Sequence, residues 1–362
     1  MSIRIALPGP ILVTAALLIS SCGGGGGGGG GNNGNPGGSA WLIPENQVFD
    51  GGPGKDGIPA IDAPEFESAS TIASVADDML VVVLRHGGEI KAYPHDIMDW
   101  HEVVNDGPND DQFTMSYCPL TGSAVAWIGD ANEPRRSFGV SGLLYNSNLI
   151  LYDRKTDSRW SQMQQRAVWG SRSGEIPQTI QLVEMAFSTL RQMYPDAQVM
   201  TRITGWQNSR DYDDYPYGFY RQHEGLQFPV EPLDNRLHLK SRVIGVNSGS
   251  ASKVFQLDGF GPTTQAINEQ IGNLSYVAVG NSALNLAAIY DRKLADGTIL
   301  VFTPIQDDLP NVMSDSEGNV WDVFGTAVSG PRAGEQLDKT LSYTAFWFAW
   351  AAFFPDPEIH FN

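Results

Sequence analysis

The strongest constraint on this chain is that part of it is written twice. Ala167-Val168-x-Gly170-x-Arg172-x-Gly174-Glu175 recurs 160 residues later as Ala327-Val328-x-Gly330-x-Arg332-x-Gly334-Glu335. The same offset carries Pro195-Asp196 onto Pro355-Asp356. An offset of 159 carries Ser116-Tyr117 and Ser123-Ala124 onto Ser275-Tyr276 and Ser282-Ala283. Trp160 meets Trp321 within a residue or two of that register. Several matches in one order at nearly one spacing indicate an internal duplication. The Tyr-Asp-Arg-Lys beginning at Tyr152 and again at Tyr290 falls outside the register and is read as coincidence. At 362 residues the chain also exceeds the size at which single cores tend to split, about 250–300 residues.

Within the first unit, placed at 41–200, β-rich runs at 79–84, 90–93, 112–117, 123–128 and 149–152 are separated by Gly, Pro, Asn and Asp clusters. That pattern predicts antiparallel strands and turns. Ile180, Val183, Phe187, Leu190 and Met193 recur at helical spacing, with Pro195 just beyond, and predict a helix. In the second unit, 242–362, the matching segment 341–354 is apolar almost all round and stops at Pro355. It is too short to span a bilayer and reads as a buried helix. Residues 201–241, rich in Tyr, Asp and Pro, read as a solvated link that packs its Tyr rings, since Arg210-Asp211-Tyr212-Asp213-Asp214 lacks the spacing of a calcium loop. The expected fold is a β-rich α+β body of two pseudo-equivalent lobes, each a small antiparallel sheet closed by one helix.

The N-terminus reads as a processing segment. Arg4 precedes an apolar run at 11–19, which suits a secretory signal over 1–21 and is shorter than the roughly 20 residues of a membrane span. Ile19-Ser20-Ser21-Cys22 resembles a bacterial lipobox, in which Cys22 is acylated and becomes the mature N-terminus. The glycine run at 23–31, within a tether at 22–40, cannot pack and leaves the body on a flexible leash. Gly23 in place of Asp favours the outer membrane by resemblance to known sorting rules. The expected location is therefore the cell envelope, on its periplasmic or surface face, with the membrane as partner.

A net charge of -18 argues against a nucleic-acid partner. Only 2 Cys exclude a disulfide scaffold, and with Cys22 assigned to a lipid, Cys118 is the one thiol of the body. The second unit has Tyr276-Val277-Ala278-Val279-Gly280 where the first has Tyr117-Cys118-Pro119-Leu120-Thr121, so the fold alone does not demand the cysteine. Cys118 reads either as a small buried hydrophobe or as a reactive thiol. His86, His95, His101 and Met115 precede it, and a nearby His would hold a thiolate. Cys118, Met115 and His101 are also the soft set that Cu(I) prefers, although no metal-site spacing joins them.

These motifs have a further meaning together. His101-Glu102-Val103-Val104-Asn105-Asp106, the Tyr117 to Ala124 run, the Phe138 to Ser147 run, Arg210-Asp211-Tyr212 with Pro216-Tyr217, and the aromatic ending from Trp347 to Asp356 resemble the domain of unknown function 3179 family. The resemblance covers about 60–360. Members often carry Cys-Pro-Leu-Cys-Gly-Thr at the Cys118 position, sometimes with selenocysteine second, which implies thiol–disulfide or peroxide chemistry. Here Thr121 stands where the second Cys would be. A dithiol cycle within the chain is thereby excluded. A monothiol route remains, with Cys118 as nucleophile, Thr121 as hydrogen-bond donor to its thiolate, His101 as activator and an outside thiol as reductant. The alternative is a non-catalytic envelope protein binding a glycan or other small ligand between the lobes. Copper handling is a third, weaker reading.

Overall fold

Apolar runs rich in β-branched residues become buried strands because they pack well on a pleated surface. Leu80–His86 is the clearest case: Val81 to Leu84 are at most 1% exposed, as in a strand covered on both faces. In the computed structural model, which describes residues 40–108, 110–129 and 136–361, this strand lies inside an eight-stranded sheet. The sheet runs 265–271, 274–281, 286–291, 182–186, 80–86, 89–94, 198–200 and 66–68. The expected signal sequence, Cys22 and almost all of the tether lie outside the described residues. No helix among those described is long and apolar enough to cross a membrane.

The β-rich α+β reading holds, with three short α-helices among the described residues: α1 (His95–His101), α2 (Phe187–Met193) and α3 (Trp347–Phe353). One small sheet and one helix per unit does not describe the arrangement. Five sheets form among the described residues, and the largest takes strands from both repeat units. The junction is Leu182–Ala186, antiparallel to Leu80–His86 along its length and paired with Leu286–Asp291 at Glu184 and Ala287. Isolated small sheets would expose open edges, and joining them satisfies those backbone groups.

The helix expected over 180–193 is half strand. Leu182–Ala186 is extended, and only from Phe187 does the chain turn into α2. The same holds near the C-terminus, where Leu341–Phe346 is a strand and α3 follows directly. Val183 fits a period of 3.6 with Phe187 and Leu190, yet Val183 and Met185 also alternate into the core. Strand pairing decided between the two periods.

Several local contacts recur between the units. Ala167 N donates to Glu175 O and Ala327 N to Glu335 O, both at 2.9 Å. Gly170 and Gly330 take φ of 96° and 98°, which favours glycine. Trp160 Nε1 donates to Asp153 at 3.1 Å, and Trp321 Nε1 to Asp315 at 2.8 Å. Asn105 Nδ2 donates to Phe138 O at 2.9 Å, and Asn268 Nδ2 to Phe302 O at 2.7 Å. The last pair corrects the upstream register. Asn105 faces Thr114, which faces Trp127, while Asn268 faces Val277, which faces Tyr290. By ladder position Cys118 matches Asn281, rather than Val277 as the offset of 159 implies. Ladder hydrogen bonds fix register where a sequence match can slide through a turn.

In the second half, Gly245 on strand Arg242–Asn247 lies under Trp350 of α3, where an added Cβ would come 2.1 Å from the indole. Overpacking a filled core costs about 1–3 kcal/mol. Gly245→Ala is expected to lower stability by at least that amount, read as a fall in the denaturant midpoint at unchanged m-value.

Candidate functional site

The site forms where α1 ends. Glu102 N bonds to Met98 O at 2.9 Å, and Glu102 then takes the left-handed conformation, φ 59°. Glycine usually occupies such a position, and a side-chain-bearing residue pays roughly 1–2 kcal/mol there. The turn sends the chain into strand Val103–Asp106, which pairs with Phe113–Cys118, and Tyr117 N bonds back to Glu102 O at 2.8 Å. Phe113–Cys118 in turn pairs with Ser123–Ile128, so Cys118 faces Ser123 across the Pro119-Leu120-Thr121-Gly122 loop.

Glu102 lines a cavity of about 300 Å³, the lower end of the range that ligand sites occupy. Its apolar wall includes Ile58, Leu120, Val140, Leu144, Leu149 and Phe228, and Asp99, Trp100, Arg210 and Tyr217 also face it. Residues 201–241 are largely exposed, and they pack several of their Tyr rings against the first unit as a strap. Tyr212 and Tyr220 are buried, and Tyr220 OH donates to Leu120 O at 2.9 Å. Tyr217 OH donates to Glu102 Oε1 at 2.9 Å, and Arg221 pairs with Asp99 and donates to Tyr117 OH at 3.0 Å. Lys240 clamps this strap by donating to the carbonyls of Tyr220, His223 and, at 2.9 Å, Gly225. The cavity thus lies between the first unit and the strap. It is not the groove between lobes that a binding role suggested, since none of its lining residues comes from 242–361.

The residues singled out from sequence separate. Cys118 and Thr121 do come together: Thr121 N bonds to Cys118 O at 3.3 Å, and a hydrogen bond from the Thr121 side chain favours the thiolate. Yet Cys118 is 1% exposed, and its Sγ donates to Ser147 O at 3.8 Å. Burial first, and then the Glu102 carboxylate, push the thiol up to about 11. His101 does not bond to the thiol. Its Nδ1 lies 2.7 Å from Pro59 O and its Nε2 2.7 Å from Tyr212 OH. The carbonyl can only accept, so Nδ1 carries the proton and Nε2 accepts from Tyr212. Burial lowers the pKa of His101 and keeps the ring neutral. Met115 packs with Tyr93 and Ile97 on one face of its strand, while Cys118 packs with Val103 and Leu120 on the other. The three proposed Cu(I) ligands do not converge, and no cluster of three or more His, Cys, Asp or Glu among the described residues could hold a metal.

Glu102, Arg210 and Tyr217 all lie in the motifs that carry the family resemblance, yet none was assigned to the site from sequence. Glu102 follows the singled-out His101 immediately, but only a positive φ at a helix end turns it inward. Its pKa is raised to about 7, chiefly by burial. Between its unfolded value of 4.5 and 7, the native state keeps a proton that the unfolded chain has lost. Stability should therefore fall by about 3 kcal/mol as pH rises through that window, then level off. Denaturant melts across pH should show this slope, and Glu102→Gln should flatten it. With Cys22→Ser leaving one thiol, alkylation of folded Cys118 should accelerate only as pH nears 11. A profile centred near the ordinary thiol value of about 8.5 would contradict its burial.

No curated protein and no solved structure matches the chain significantly. A family model described as a protein of unknown function, DUF3179, matches residues 55–357, which is most of the chain, and the protein therefore belongs to that family.

Proposed function

We propose that this protein is a lipid-anchored, non-catalytic binding protein of the cell envelope, tethered through Cys22 and holding a small ligand in the Glu102 cavity. The observation that carries the reading is a mostly apolar cavity of about 300 Å³ into which a buried carboxyl is turned by a strained helix end. The anchor and its outer-membrane location rest on the Cys22 motif and the glycine leash. The recurring contacts support an internal duplication in which only the first copy, with its strap, built this cavity. A monothiol redox role has less support. A nucleophilic Cys118 needs exposure and a depressed pKa, and burial acts against both.

The test is a fragment screen by ligand-observed NMR, followed by thermal shifts, on the wild type, Ile58→Trp and Cys118→Ser. Ile58 is partly exposed at the cavity wall, so the larger ring fills the space. Wild-type hits at a hundredfold excess over Kd should add about 2.7 kcal/mol of stability. Those hits should vanish in Ile58→Trp and persist in Cys118→Ser. An empty screen, or hits that depend on Cys118 and ignore Ile58, would overturn the proposal.

A further inference from the structure

We propose that the ligand is a small dipolar molecule, an apolar body with a protonated amine that meets Glu102 and a carboxylate that meets Arg210. The inference rests on the binding reading of the same cavity and narrows it to a chemical class. Three charged side chains line the space: Asp99, Glu102 and Arg210. Asp99 is already engaged by Arg221. The other two meet no opposite charge among the described residues.

Glu102 is 4% exposed, and one of its oxygens accepts from Tyr217. Its second oxygen accepts no hydrogen bond among the described residues. The Arg210 guanidinium makes no hydrogen bond or ion pair among the described residues. It rests 5.3 Å over the Trp100 ring, with its Nε buried and unbonded. Leaving such groups unsatisfied is costly, so a ligand that answers them gains more than one that fills the apolar space alone.

Complementarity then selects the class. A simple amine would answer Glu102 and leave Arg210 unpaired. A simple carboxylate would do the reverse, and it would approach a chain of net charge -18. A molecule with both ends satisfies both groups and places its apolar middle against Val140, Leu144 and Phe228. The cavity volume restricts it to a single small unit rather than a polymer segment.

The test is isothermal titration of the full chain with leucine, phenylalanine and a series of ω-amino acids of increasing length, each beside its matched amine and carboxylate. At least one zwitterion should bind about tenfold or more tighter than either half. Glu102→Gln should weaken the zwitterion and the amine by about tenfold and spare the carboxylate, and Arg210→Gln should weaken the zwitterion and the carboxylate and spare the amine. If the halves bind as tightly as the zwitterion, if either variant leaves zwitterion affinity unchanged, or if no zwitterion binds, the inference is wrong. Apolar fragments that still bind the wild type and fail on Ile58→Trp would then leave the cavity reading standing. Their failure as well would remove both.

Discussion

Much of this structure hangs on one buried carboxylate. Glu184 sits in the strand that joins the two halves of the eight-stranded sheet, at the position paired with Ala287. His95 Nε2, from the first residue of α1, lies 3.0 Å from it, and the Arg242 guanidinium lies against its other oxygen. His95 is held neutral, at about 3, chiefly by burial and then by Arg221, so Arg242 supplies the countercharge. Removing one partner of such a buried pair typically costs about 3–5 kcal/mol, because the remaining charge is stranded. The node ties the start of α1, the sheet junction and the first strand of the second half to a common point.

From that point the site follows. With its first turn held at Glu184, α1 delivers its last residue, His101, and the capping Glu102 to a set depth. His101 is fixed by Pro59 and Tyr212, and Glu102 turns left-handed into the cavity. The strap is then drawn over the opening by bonds to Glu102, Asp99 and Leu120, and by Lys240 behind it. Cys118 ends up beneath this assembly, closed off from solvent and close to a carboxylate. The surroundings that make a thiol reactive are positive and open. These are negative and closed.

The parts of this arrangement that were legible in the sequence are those with local causes. Strand Ser123–Ile128 lies where its alternation and flanking turns placed it, and the other predicted strands shift by a residue or two at their ends. The helical spacing from Val183 to Met193 misled because Val183 and Met185 satisfy the strand period as well, and the neighbouring Leu80–His86 was available to pair. The Tyr-rich segment was legible as a loop that packs its Tyr rings, but composition does not say what those rings pack against. Tyr220 and Tyr217 are told apart from wet residues only by what they touch.

The sequence by itself determined the strand-rich character, the recurring Trp and glycine positions, the family and the singularity of Cys118, because short-range patterning and composition encode these directly. Tertiary structure alone decided that the two halves share a sheet, that Cys118 is buried and that Glu102, Arg210 and Tyr217 meet at one cavity. The physical reason is distance along the chain. Those outcomes depend on backbone edges and charges more than a hundred residues apart choosing one another, and burial and pKa exist only once they have.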